Sequence, residues 1–405
     1  MSYILTSLLL LMMIRSIMLN DQGRFHQIIW LGFFSRLFLL VVTVTDIIPL
    51  PDAHEDAESF HEISSLNQGS PISSWDHLTN YTYFLSCLYY LTDSARWFAQ
   101  FVNLVFGVYF LVYIRKILCV LEVDSNLGKT ILTVAALMPF FNIYSVVLMR
   151  EAWVTFFITF SLYHFICWYL QQGNGIRQAV LTIVGLVLAM WMHAGAIGII
   201  IGYTMAFLTY YRKENKVRIS SSTYIALFLL GIFVLILLLN IEVFAQKLAV
   251  DDFGEYAEKK SEGEGGGSDY LTWLDLSSPS KLLLFSPLKM LYFLYSPIVL
   301  DWRGLNDIAA FLMDSLFYIL ISWFALTRKV DNPQYKLLKR YLVISMVITT
   351  FLFAFGTSNT GTAIRHRAKL SSIMLALWAL SPSKRKTEDQ SCYPIGENET
   401  LDNCE

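Results

Sequence analysis

Chemical capacity in this sequence is concentrated in a few short stretches. Residues 50–62 hold Asp52, His54, Glu55, Asp56, Glu58, His61 and Glu62 directly after a long apolar run. If a helix starts at Pro51, a residue suited to the first helical position, Asp52 and Asp56 lie four residues apart on one face. A carboxylate beside an apolar wall is pushed toward neutrality and serves as a general base, while a charged neighbour holds a cation or a substrate hydroxyl. The plainer reading is an acidic first turn that complements the helix dipole. The zinc-protease pattern is absent, because Glu58 stands four residues after His54. A divalent metal held by Asp52, His54 and Asp56 stays open as an alternative.

Arg150 and Glu151 separate two apolar runs that carry almost no other charge. They read equally as an internal ion pair or as an arginine that binds an anion. His193 lies between two apolar segments and reads first as a buried, satisfied histidine. Residues 356–369 place two glycines and several small hydroxyl residues before Arg365, His366, Arg367 and Lys369. Such a loop allows backbone N–H groups to approach a phosphate, and arginine adds bidentate contacts. A helix starting near Thr362 would put Arg365 and Lys369 on one face. The bland alternative is basic side chains snorkelling at a helix end. Residues 286–304 add Tyr292, Trp302 and Arg303, where rings either stack on sugars or anchor at the headgroups and the arginine is a further phosphate ligand.

The elements that must position these groups follow from composition. Of the 405 residues 55% are hydrophobic and only 15% charged, and mean hydropathy is +0.51. Soluble domains carry about 25% charged residues. The apolar runs repeatedly reach the ~20 residues that cross a bilayer. This excludes a soluble globular enzyme and predicts an all-α polytopic membrane protein. Spans are expected at 27–48, 95–114, 129–147, 152–170, 222–243, 305–327 and 339–356. A first helix or interfacial anchor falls at 2–18, a tight helix pair at 179–211 meets at His193 to Gly195, and a short last run covers 369–382. That makes about ten or eleven crossings.

Lys and Arg in the short loops fall on one side, the cytoplasm by the charge rule. The long loops 49–94 and 244–304 then face outward and carry interfacial or re-entrant helices at 81–91 and 281–300. Residues 1–382 form one integral membrane domain, and 383–405 a polar cytoplasmic tail. The basic stretch 365–369 breaks the charge rule on the outer face, which calls for a compensating anion. The formal net charge of −2 gives no basic field for nucleic acid. Five cysteines show no CxxC pair, so neither a disulfide framework nor a zinc site is implied. No Walker A or GxGxxG motif is present, so the donor of any reaction should come from the membrane.

At this point a resemblance emerges. Pro51-Asp52-Ala53 with Asp56-Ala57, Met149-Arg150-Glu151, the stretch from Tyr292 to Pro297, and the run from Asn359 to Arg367 resemble the Wzy-type polysaccharide polymerases. More distantly they resemble lipid-carrier-dependent glycosyltransferases of the GT-C class. The resemblance implies a GT-C-like bacterial inner-membrane enzyme that extends a capsule, exopolysaccharide or O-antigen from undecaprenyl-pyrophosphate-linked glycans. It needs no cofactor, and its partners are the lipid-linked glycan, membrane lipids and other polysaccharide assembly proteins. It implies catalytic roles for Asp52, Asp56 and His366. The phosphates go to Arg150, Arg303, Arg365, Arg367 and Lys369, with His61, Glu151 and His193 as further candidates. The alternatives are a flippase or transporter of lipid-linked oligosaccharide and a non-catalytic export subunit. A transporter should show charges at mid-membrane and a repeated half, and this sequence shows little of either.

Overall fold

A computed structural model describes residues 1–19, 25–45, 54–68, 80–213, 268–274 and 279–380. Asp52, the expected span 222–243 and the tail 383–405 lie outside the described residues. Those described are helical, joined by turns and one isolated antiparallel bridge between Asp269 and Asn359. Among the described residues six helices are long and apolar enough to cross a membrane: His26–Val44, Arg96–Val120, Glu151–Tyr169, Gly175–Met192, Leu305–Thr327 and Pro333–Ala354. The chain is an all-α polytopic membrane protein. The chain divides into two compact units, with the boundary in the first turn of the helix that begins at Glu151.

The first unit contains α1 (Ser2–Leu19), α2 (His26–Val44), α3 (His54–Leu66), α4 (Asn80–Thr92), α5 (Arg96–Val120), α6 (Ser125–Leu137) and α7 (Pro139–Tyr144). The single span expected at 129–147 is broken. Pro139 cannot donate to the preceding turn, so α6 stops at Leu137 and α7 restarts at the proline. Carbonyls orphaned at such a break need a donor where water is scarce. Arg36 of α2, fully buried, donates from Nη1 to the carbonyl of Ala136 at 3.2 Å. Space for the guanidinium comes from Gly32 and Gly107, since a methyl at either would lie within 3.2 Å of an Arg36 nitrogen.

The second unit takes the rest of α8 (Glu151–Tyr169), then α9 (Gly175–Met192), α10 (Ile197–Lys213), α11 (Pro279–Tyr295), α12 (Leu305–Thr327), α13 (Pro333–Phe355), α14 (Thr360–Ala368) and α15 (Ser371–Ala379). The helix pair expected at 179–211 is present, hinged at a 3-10 turn over Ala194–Ala196. α10 packs on α13 through small residues at four-residue spacing. Gly198 faces Thr349, and a methyl at Gly202 would lie 1.8 Å from Ser345 Oγ. Such small-residue seams let helices approach closely in membranes. The last run yields a nine-residue helix, α15. At about 1.5 Å per residue it is too short to cross alone, which corrects the expected span at 369–382.

The second unit has two chemically distinct ends. At one, the Tyr169 hydroxyl donates to the Gln334 carbonyl at 3.1 Å and Lys339 Nζ to the Arg328 carbonyl at 2.8 Å. At the other, His193 meets His366, and residues 268–270 pair with 358–360. Within this unit the basic turns 328–340 lie at the first end, and His193 and the 356–369 stretch at the second.

Candidate functional site

The site is built on α14. Asn359 caps its first turn, the side-chain oxygen accepting from Gly361 N at 2.8 Å and Thr362 N at 3.2 Å. The helix therefore begins at Thr360, earlier than expected. The cap also corrects one expectation: those two N–H groups are engaged by Asn359 and are not left for a phosphate. Residues 268–270 clamp the same loop. Tyr270 N donates to the Ser358 carbonyl at 2.9 Å and Thr360 N to the Ser268 carbonyl at 3.1 Å. Asn359 Nδ2 reaches Asp269 Oδ1 at 3.3 Å, and the Tyr270 hydroxyl reaches the Thr357 carbonyl at 3.2 Å. Burial pushes the Tyr270 phenol well up, opposed by the charge of Arg367.

The four basic residues of this segment have different surroundings. Arg367 is fully buried in an ion pair with Asp314 of α12, made through Nε. Its Nη1 donates to the Phe293 carbonyl at 3.1 Å, and Nη2 to the Ser296 carbonyl and Ser315 Oγ. Arg367 thus caps the C-terminal end of α11 and ties it to α12, so its donors serve the protein rather than an external phosphate. Lys369 is also fully buried, its Nζ 5.8 Å from the centre of the Phe353 ring. Arg365 and His366 are half-buried. The His366 ring lies 5.0 Å from that of His193, and Nδ1 is 3.4 Å from Thr357 Oγ1. His193 Nδ1 accepts from Gly195 N at 3.2 Å, so a neutral His193 carries its proton on Nε2.

A strap over residues 296–304 follows α11 and is tied to α14 where Arg367 donates to the Ser296 carbonyl. It contains a 3-10 turn at Val299–Asp301, closed by Asp301 N donating to the Ile298 carbonyl at 2.9 Å. Arg303 is exposed. Its Nη2 donates to the Asp269 carbonyl at 2.6 Å, and its backbone N to Asp307 Oδ2 at 2.8 Å. The Tyr270 and Tyr292 rings meet at 5.4 Å, and Trp302 stands edge-on to Phe311 at 5.4 Å. Burial raises the Asp301 carboxyl above its ordinary range; Arg303 opposes this and Asp307 reinforces it.

The remaining candidates belong to the first unit. α3 is described from His54, and the expected face shared by Asp52 and Asp56 involves Asp52, which lies outside the described residues. Asp56 is half-buried. His61 Nδ1 contacts the Tyr89 hydroxyl at 2.8 Å. Burial lowers the His61 pKa and Arg96 adds to this, against Glu58 and Glu62. Arg96 itself pairs with Glu58 at 2.7 Å. Asn103 donates to the carbonyls of Val147 and Met149, which fixes the turn carrying Arg150. Glu151 is buried at the first position of α8, where the dipole favours a carboxylate. Among the described residues no group of three carboxylate, imidazole or thiol ligands gathers into a metal site.

The structure therefore brings His193, Arg303, Arg365, His366, Arg367 and Lys369 into one unit and leaves Asp56, His61, Arg150 and Glu151 in the other. Sequence reasoning missed Asp314, Asp301 and Asp269. The signal for Asp314 was present, a carboxylate in the interior of an apolar span. Comparison with family models, curated proteins and solved structures finds no match to the chain.

Proposed function

We propose that the chain is a membrane glycosyltransferase of the polysaccharide-polymerase type, acting on a polyprenyl-pyrophosphate-linked sugar at the outer face of a bacterial inner membrane. The observation that carries this reading is the contact of the His366 ring with that of His193, with the half-buried Arg365 next to His366 on α14 and Arg303 exposed in the 296–304 strap, in an all-helical membrane protein. Arg365 offers a planar fork to a pyrophosphate, and Arg303 provides a second exposed cation. Arg367 and Lys369, both buried, support α14 and its packing.

In the reaction, an acceptor hydroxyl attacks the anomeric carbon. The new glycosidic C–O bond forms as the bond to the pyrophosphate oxygen breaks. His366 takes the hydroxyl proton, and the pyrophosphate leaves with the bonding pair, its charge met by Arg365. No nucleotide donor enters this scheme. The scheme is written with residues of the second unit alone.

The test is Arg365→Ala, beside Arg365→Lys, in cells assayed for polymer length and for the lipid-linked repeat unit. Loss of long chains, with single units still reaching the outer leaflet, is the expected result. Full-length polymer would overturn the reading, and units trapped on the inner leaflet would indicate a flippase.

A further inference from the structure

Two adjacent side chains of the strap hold polar atoms with nothing to satisfy them. Asp301 Oδ2 and Trp302 Nε1 are both shielded from solvent, and neither has a hydrogen-bond partner among the described residues. An unsatisfied buried donor or acceptor costs about 1–3 kcal/mol, and native proteins rarely leave such groups so. The two residues are consecutive in the chain, one offering an acceptor and the other a donor. Their neighbours already have partners: Asp307 takes the Arg303 backbone N–H, Ile298 takes the Asp301 backbone N–H, and Arg303 Nη2 reaches Asp269. The Asp301 carboxylate lies close enough to the Tyr292 phenol that its charge, after burial, pushes that phenol up.

The chemistry that satisfies both atoms at once is narrow. The carboxylate requires an O–H or N–H donor and the indole requires an acceptor. An anion meets repulsion from Asp301 and Asp307, and a cation meets the indole N–H. A pair of neighbouring hydroxyls supplies donor and acceptor together, and aromatic rings beside it suit the apolar face of a sugar. Val299 and Leu300 within the strap and Leu305 just beyond it are exposed apolar side chains, Leu300 at 88%. They favour a sugar presented on a lipid rather than one free in water.

We propose that Asp301 and Trp302 form a carbohydrate subsite that holds adjacent hydroxyls of the lipid-linked sugar. This rests on the proposed glycosyl transfer, and its test is arranged to fail separately. Full-length protein in detergent is examined by saturation-transfer NMR against methyl glycosides of glucose, galactose, mannose and N-acetylglucosamine. Binding of bare undecaprenyl pyrophosphate is measured on the same preparations. At least one glycoside should contact the wild type. Asp301→Asn and Trp302→Phe should each weaken that contact about tenfold, the cost of one lost hydrogen bond to a charged or buried partner, and leave pyrophosphate binding unchanged. Trp302→Phe keeps a ring against Phe311, and elution as a single wild-type-like species checks folding. Absence of contact with all four glycosides in the wild type, or wild-type contact in both variants, overturns the subsite. Retention of pyrophosphate binding in Arg365→Ala would overturn the proposed function while the subsite stands.

Discussion

Replacing Arg367 by methionine should destabilise the second unit more than any surface substitution, although the residue comes from a stretch that the sequence assigns to ligand binding. The structure sets the size. Removing the guanidinium leaves the Asp314 carboxylate, fully buried in α12, without its counter-charge, and breaking a buried pair costs about 3–5 kcal/mol. The Phe293 carbonyl also loses its Arg367 donor, whereas the Ser296 carbonyl keeps Ser315 Oγ at 2.7 Å. Asp314→Asn should cost less, because Arg367 retains its carbonyl and hydroxyl acceptors. Arg367→Met combined with Asp314→Leu removes both charges and leaves chiefly the Phe293 carbonyl unsatisfied, about 1–3 kcal/mol. The double variant should therefore be more stable than Arg367→Met alone. The assay is denaturant and thermal unfolding of purified protein in detergent, treated as a double-mutant cycle. Arg303→Ala, an exposed side chain with one hydrogen bond to the Asp269 carbonyl, serves as reference at about 1 kcal/mol or less. An Arg367→Met loss no larger than that of Arg303→Ala, or a double variant worse than both singles summed, would refute the reasoning.

Gly202→Ala should separate α10 from α13, because the new methyl would lie 2.8 Å from the Ser345 backbone as well as against its hydroxyl; a loss of about 1–3 kcal/mol in thermal unfolding is expected. The His61 pKa is lowered in the folded state, so the neutral ring is favoured. Its stabilisation is complete above the ordinary value of 6.5 and is lost as pH falls below it; His61→Gln should flatten the midpoint-versus-pH curve there. Asp301 shifts the other way, so its ionisation weakens the fold as pH rises from its ordinary value through its raised one; Asp301→Asn should raise the melting midpoint at neutral pH while weakening sugar contact. Cysteine placed at Ser268, in a background cleared of native cysteines, should react with an impermeant maleimide in intact cells. Labelling only after the cytoplasm is opened would reverse the sidedness used throughout.

Much of the fold is legible in the sequence because long apolar runs have one good solution in a bilayer. The helix pair hinged at His193 to Gly195 was readable from its length, and α12 from an apolar run whose only charges are Asp307 and Asp314. Less legible were the places where one residue's partner lies far along the chain. Nothing near Ala136 announces that Arg36 of α2 will serve the carbonyl there, so the run 129–147 looks continuous until the effect of Pro139 is seen. The site divides in the same way. Composition and spacing drew attention to residues 356–369, but Arg365 and Arg367 look alike in sequence. Only the arrival of Asp314 from α12 and two carbonyls from the end of α11 makes Arg367 a structural cation, while Arg365 stays half-buried. Asp301 was overshadowed by its neighbour Arg303, because an unsatisfied atom has no sequence signature.

The central claim is that sugar leaves a polyprenyl pyrophosphate in this protein. Purified full-length protein, incubated with lipid-linked glycan extracted from a strain unable to polymerise it, should release free polyprenyl pyrophosphate and lengthen the glycan. Arg365→Ala should abolish both at wild-type folding. Lengthening without pyrophosphate release, or release undiminished in Arg365→Ala, would contradict the account.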